Sequence, residues 1–214
     1  MLLRYKMLYK NNLLVLEKQD TYWRIIIIEK VMENKSDAFD NIREKIKNKL
    51  VDYPDFPKKG ILFKDIMPLF KDPGLINDLA LAIATHFKKC NIDAIAACEA
   101  RGFLFGVIVS IHMNVPFVPI RKKGKLPGEC ISATFTKEYG EDIFEVQKGS
   151  FKSGDRVLIL DDLLATGGSM SAAISVVEKA GANPVNAFCL VELTELKGLD
   201  KLPKSTTFEA MIKI

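Results

Sequence analysis

Two adjacent carboxylates, Asp161 and Asp162, stand just ahead of the run Ala165-Thr166-Gly167-Gly168-Ser169. Glycines let a main chain come close to an anion, and Thr166 and Ser169 add hydroxyls. Apolar residues at Met170, Ala173, Ile174 and Val177 follow at helical spacing. A helix start therefore lies beside the glycines, with unpaired N–H groups and a partial positive charge. These are the residue types of a phosphate site. The acidic pair would repel that phosphate, so its natural partners are sugar hydroxyls or a hydrated cation.

Position depends on the flanking elements. Residues 156–160 (Arg-Val-Leu-Ile-Leu) form a short apolar run with β-branched Val157 and Ile159, which predicts a buried parallel strand ending at the acidic pair. Ile92 to Cys98 predicts a second strand, followed by the turn Glu99–Gly102 and an apolar helix from Phe103 to Met113. Val115 to Ile120 predicts a third. Strand, helix and strand in that order make a right-handed parallel unit whose loops open at the strand C-terminal ends, where such sheets bind ligands. Upstream, Ser36 suits a helix N-cap ahead of the stripe Phe39, Ile42, Ile46 and Leu50. Two prolines and a glycine make Tyr53 to Gly60 a loop. Asp72 caps a further helix with Pro73 at its first position and Leu75, Leu79, Ile83 and Phe87 as its core stripe. His86, beside that stripe, reads as a partly exposed structural residue. Residues 121–154 lack helical period, and weak alternation from Thr134 to Glu145 predicts a mobile hairpin, long enough to be functional. Val185 to Leu193 closes the sheet, and Phe208, Met211 and Ile212 add an edge strand.

At 214 residues and 48% apolar content the chain fits one domain of ordinary size. A net charge of +4 suits anionic metabolites and does not argue for nucleic acid. Cys90, Cys98, Cys130 and Cys189 are too scattered for a zinc site or a disulfide framework, which places the chain in a reducing compartment. Residues 1–36 are set apart: they mix basic and bulky apolar residues without helical period, and no apolar run is long enough for a membrane span or a secretory signal. They read as a poorly ordered extension to a domain spanning 37–214. The site is expected in the cytoplasm.

Four segments in order carry a resemblance. They are Tyr53-Pro-Asp-Phe-Pro-Lys-Lys-Gly-Ile-Leu-Phe-Lys-Asp-Ile66, Cys98-Glu-Ala-Arg-Gly-Phe-Leu-Phe-Gly106, Arg121-Lys-Lys-Gly-Lys-Leu-Pro-Gly128 with Glu138-Tyr139-Gly140, and Val157-Leu-Ile-Leu-Asp-Asp-Leu-Leu-Ala-Thr-Gly-Gly-Ser-Met170. The last resembles the ribose-phosphate motif of type I phosphoribosyltransferases, with wording most similar to the adenine-specific branch. The resemblance implies an α/β fold, an open, mostly parallel twisted sheet flanked by helices, with a small hood and a flexible active-site loop. It implies transfer of a ribose phosphate from its 1-pyrophosphate to adenine. On that footing Ala165, Thr166, Gly167, Gly168 and Ser169 take the 5′-phosphate, and Asp161 and Asp162 take the ribose hydroxyls. Glu99, Ala100, Arg101, Arg121, Lys122 and Lys125 serve the pyrophosphate.

By the same resemblance Phe63 and Leu163 sandwich the base, whose edge meets the Leu62 main chain. Lys64 stands where the family often has arginine, keeping the charge without the planar fork. Glu138 is the acid–base residue and Tyr139 helps to seal the site. Mg²⁺ is implied on the pyrophosphate and sugar oxygens, with no direct protein ligand. A homodimer is implied as well. Two alternatives remain open from sequence: transfer to a 6-oxopurine or pyrimidine, and a regulator that binds phosphoribosyl pyrophosphate without turnover.

Overall fold

The computed structural model describes residues 6–10, 13–17, 35–56, 58–137 and 140–214. The chain divides into two units, Met1–Asn41 and Ile42–Ile214. In the first, β1 (Lys6–Lys10) and β2 (Leu13–Glu17) pair antiparallel from Lys6 opposite Glu17 to Lys10 opposite Leu13. Helix α1 spans Lys35–Lys47, so Ser36 lies inside it rather than ahead of it, and Leu50 falls beyond its end.

The second unit opens with a departure from expectation. Residues Val51–Pro54 (β3) and Leu62–Asp65 (β4) form an antiparallel hairpin, with Tyr53 opposite Phe63 and Pro54 opposite Leu62. The prolines and glycine of 53–60 mark its turn, and Tyr53 itself is strand. Proline is tolerated because the hairpin has free edges that need no further N–H donor. Helix α2 (Pro73–His86) starts as its sequence dictates: the Asp72 side chain accepts from the Leu75 N–H at 3.1 Å, and Pro73 occupies the first turn. Leu75, Leu79, Ile83 and Phe87 are all buried. His86 is partly exposed and reaches Glu209 Oε2 at 2.7 Å.

The remaining elements build one seven-stranded sheet. They are β5 (Ala94–Cys98), α3 (Arg101–Met113), β6 (Phe117–Lys122), β7 (Cys130–Lys137), β8 (Gly140–Gln147), β9 (Arg156–Leu164), α4 (Gly168–Lys179), β10 (Asn183–Glu192) and β11 (Thr207–Lys213). The strand order is β11-β10-β9-β5-β6-β8-β7. From β11 to β6 neighbours run parallel; β8 is antiparallel to β6, and β7 to β8. The expected hairpin is thus β7–β8, grafted onto the parallel sheet through Arg121 opposite Glu145 and Lys122 opposite Phe144. The edge on the other side is β11, beside β10.

Side chains alternate along the buried strands and sort the helices to two faces. On β9, Val157 and Ile159 join Ala172, Ala173, Val176 and Val177 of α4 in one core. Leu160 points to the other face, where α3 comes so near that a Cβ on Gly102 would stand 2.8 Å from the Leu160 carbonyl oxygen. The chain moves outward from β5 through α3 to β6, and in the opposite direction from β9 through α4 to β10. The order reverses between β5 and β9, and a crevice opens there at the strand C-terminal ends.

Candidate active site

The crevice is a cleft of about 440 Å³ lined by Glu99 to Arg101, Lys122, Phe144 and the continuous run Asp161–Met170. Strand β9 does not stop at Leu160 as the sequence suggested. It runs to Leu164, because Asp161 and Leu163 still pair with Cys189 and Val191 of β10. The acidic pair therefore sits within a strand, on opposite faces, with both side chains more than nine-tenths buried. Asp161 lies on the face shared with Ile159 and the buried thiols Cys98 and Cys189, and its Oδ1 accepts the Asp162 N–H at 2.9 Å. Burial, and then the neighbouring charge of Asp162, push the Asp161 pKa well above the usual carboxylate range. Asp162 faces α3. Its pKa is also raised by burial, but the Arg101 guanidinium opposes that rise. Arg101 Nε stands 2.7 Å from Asp162 Oδ2, yet its N–H is not aligned on that oxygen, which is left without a hydrogen bond. A buried carboxylate oxygen so placed in a cleft is a ready acceptor for a ligand hydroxyl.

After β9, Ala165 to Gly167 turn sharply and Gly168 begins α4, with Gly167 at the N-cap and φ 81°. Helix α4 thus starts two residues ahead of Met170, so Gly168 and Ser169 belong to its exposed-donor first turn. The Gly167 Cβ position is filled by the Gly198 main chain. Its glycine is required by conformation and packing.

Across the cleft the turn after β5 presents Glu99, Ala100 and Arg101. Arg101 also lies over the Phe63 ring, 5.0 Å from its centroid, and so joins the β3–β4 hairpin to the acidic pair. Phe56 meets the same ring edge-on at 5.1 Å. Leu62, Phe63 and Lys64 do not line the cleft itself. Leu163 does, half-buried. Lys64 is paired with Asp52 Oδ2 at 2.7 Å across the hairpin, which turns its charge along the hairpin.

The basic residues divide into two groups. Lys122 lines the cleft. Arg121 and Lys125 are gathered by the buried Glu99 carboxylate, at 3.0 Å from Arg121 Nε and 2.6 Å from Lys125 Nζ. Burial raises the Glu99 pKa, but hydrogen bonds from Lys125 and Arg121 outweigh it, and the group titrates below its ordinary value. Glu99 is therefore ionised and holds two cations at the rim. Glu145 fixes the same turn from behind, accepting the Gly124 N–H and the Ser132 hydroxyl, each at 3.0 Å. Glu138 and Tyr139 lie outside the described residues. Sequence reasoning missed Phe144, Leu164 and Met170 as lining residues; the alternation of β8 beside Lys122 was the available signal for Phe144.

Comparison with known proteins agrees with this geometry. A model of the phosphoribosyl transferase domain matches residues 69–213. An adenine phosphoribosyltransferase of Caenorhabditis elegans is 55% identical over 167 residues, covering 77% of this chain and 90% of the relative. One from Saccharomyces cerevisiae is 47% identical over 163 residues, covering 74% and 87%. Among solved structures, the Saccharomyces cerevisiae enzyme complexed with D-2,5-dideoxy-2,5-imino-altritol 1,6-bisphosphate and adenine superposes with a TM-score of 0.77 at 43% identity, covering 80% of this chain and 99% of that one. The Giardia lamblia enzyme complexed with 9-deazaadenine gives 0.75 at 36% identity, covering 80% and 97%. With an acidic strand end, a glycine turn and a basic turn meeting in one crevice, and with relatives matched at these identities over most of their length, the chain belongs to the adenine phosphoribosyltransferases, of the type I phosphoribosyltransferase fold.

Proposed function

We propose that the chain transfers the 5-phosphoribosyl group from phosphoribosyl pyrophosphate to adenine, forming AMP and releasing pyrophosphate in purine salvage. The observation that carries this is the cleft between β5 and β9, where phosphate donors, sugar acceptors and cations converge. Main-chain N–H groups of Ala165 to Ser169, with the Thr166 and Ser169 hydroxyls, take the 5′-phosphate at the start of α4. Asp161 and Asp162 accept the ribose hydroxyls and favour the positive charge that grows on the ring as the C1′–O bond to pyrophosphate breaks. Ala100 N–H, Arg101 and Lys122 receive the pyrophosphate, and Glu99 contributes through Arg121 and Lys125, the cations it holds.

Adenine lies between Phe63 and Leu163 with its edge on the Leu62 main chain. A 6-oxopurine presents donor and acceptor reversed there and leaves polar groups unpaired once the base covers them. Lys64 supports the hairpin through Asp52. As the purine nitrogen bonds to C1′, its proton passes to Glu138, and Tyr139 helps to exclude water.

Magnesium fits this donor set. Among the described residues no group of three His, Cys, Asp or Glu side chains is placed to hold a metal by itself, and the buried Asp162 Oδ2 accepts no hydrogen bond, although the Arg101 guanidinium stands 2.7 Å away. Asp161 and Asp162 would hold the ion through its water, and bound there it neutralises pyrophosphate charge.

Residues 37–214 form the catalytic domain, with 1–36 an addition to it. A homodimer is supported by the apolar stripe Leu104, Val107 and Ile111 on the outer face of α3, with Ile111 70% exposed. A cytoplasmic setting is supported by four free thiols. Among the described residues no helix is long and apolar enough to cross a membrane. Incubating the protein with adenine and phosphoribosyl pyrophosphate, with and without Mg²⁺, tests the reaction: AMP and pyrophosphate should appear in equal amounts and depend on the metal. Tight binding of phosphoribosyl pyrophosphate without product would favour a regulator instead.

A further inference from the structure

The loop at Ala165–Gly167 leans on a second segment. After β10 the chain makes two 3₁₀ turns, Thr194–Leu196 and Gly198–Lys201. Between them Lys197 is left-handed, with φ 50°, and Gly198 is buried against the loop. A Cβ on Gly198 would collide with the Ala165 carbonyl oxygen and stand 2.9 Å from the Gly167 nitrogen. A Cβ on Gly167 would collide in turn with the Gly198 carbonyl oxygen. The contact is main chain on main chain, in both directions.

The two glycines are needed for different reasons. Gly167 has φ 81°, so its backbone conformation already disfavours other residues. Gly198 is not among the residues of positive φ, so alanine can adopt its backbone. Only the space is missing. The segment is anchored at its far side: Leu193 N–H donates to Leu164 O at 2.9 Å, and the Thr194 N–H and hydroxyl both donate to Ile214 O at 2.8 Å. A segment tied to the sheet edge thus packs directly against the peptide units next to the helix start.

We propose that Gly198 is a positioning residue for the 5′-phosphate, its segment bracing the Ala165–Gly167 main chain so that its N–H groups point at the anion. This rests on the reading of that loop as the phosphate site. Misplacing a binding group by about 1 Å can cost on the order of 10²-fold. Gly198→Ala should therefore weaken AMP and ribose 5-phosphate by about tenfold or more in calorimetric titration. Magnesium pyrophosphate, held on the opposite wall, should bind as before.

AMP affinity within about twofold of the unaltered protein would overturn the proposal, and so would an equal loss for pyrophosphate, the sign of a general distortion. Should the variant fail to fold, amide exchange on the unaltered protein decides. The peptide covering residues 194–199 should be protected by AMP and by ribose 5-phosphate but not by magnesium pyrophosphate; unchanged exchange with AMP bound would overturn the brace. If the unaltered protein bound no AMP at all, the phosphate reading would fail, and the brace with it.

Discussion

Asp161 is held where a charge is costly to keep. Its carboxyl is buried among Ile159, Cys98 and Cys189, and burial together with Asp162 raises its pKa. An acid whose pKa rises on folding binds its proton more tightly in the folded chain. Its contribution to stability is complete below the unfolded-chain value, about 3.9, and is lost as pH rises through the raised folded-chain value. Asp161→Asn should therefore melt higher than the unaltered, ligand-free protein at pH 7, with the gap closing toward pH 3. In a chain of this size each kcal/mol relieved is worth about 2–4 °C. The same change should lower kcat by about 10²-fold with less effect on AMP affinity, because the charge matters most when the sugar is cationic. A variant that melted lower at neutral pH would show that the carboxylate is stabilised by partners other than those described. For Glu138, glutamine can still accept a hydrogen bond but cannot exchange a proton, so Glu138→Gln should lower kcat by about 10²-fold or more. Near-normal turnover would assign proton transfer to water.

The elements explain why these residues meet. Strand β9 carries the acidic pair because its pairing with β10 continues to Glu192 opposite Leu164. Sequence hydropathy ended the strand at the first acid, since periodicity reports burial in an apolar core and not the hydrogen bonds that extend a strand into a polar cleft. The parallel strands, α2 with its Asp72 cap and the turn after β5 were legible, because apolar runs and capping chemistry are local. The β3–β4 hairpin was not: proline and glycine at 53–60 read as loop, while the pairing partner lay downstream at Leu62–Asp65. Likewise the cations were legible as a cluster, but their gathering by Glu99 depends on β5 and β6 lying side by side. At the start of α4, Gly168→Val places a side chain on the first turn where the 5′-phosphate is to approach. AMP binding should weaken by about tenfold or more, read by titration. Unchanged affinity would move the phosphate elsewhere.

At the scale of the molecule, the matched domain model and the cleft both fall within Ile42–Ile214. A chain lacking residues 1–34 should keep kcat within about a factor of two and unfold cooperatively. A large loss of either would make the first unit part of the working enzyme. The outer face of α3 predicts a dimer, and sedimentation at assay concentration should give twice the chain mass; a fully active monomer would remove the need for that face to be covered. The central claim is that this cleft joins phosphoribosyl pyrophosphate to a 6-aminopurine, and it is tested most directly by kcat/KM for adenine against hypoxanthine under one set of conditions. The Leu62 main-chain edge predicts a preference for adenine of about 10²-fold or more, since each donor or acceptor left unpaired once the base covers it costs about 1–3 kcal/mol. Equal or faster transfer to hypoxanthine would contradict it.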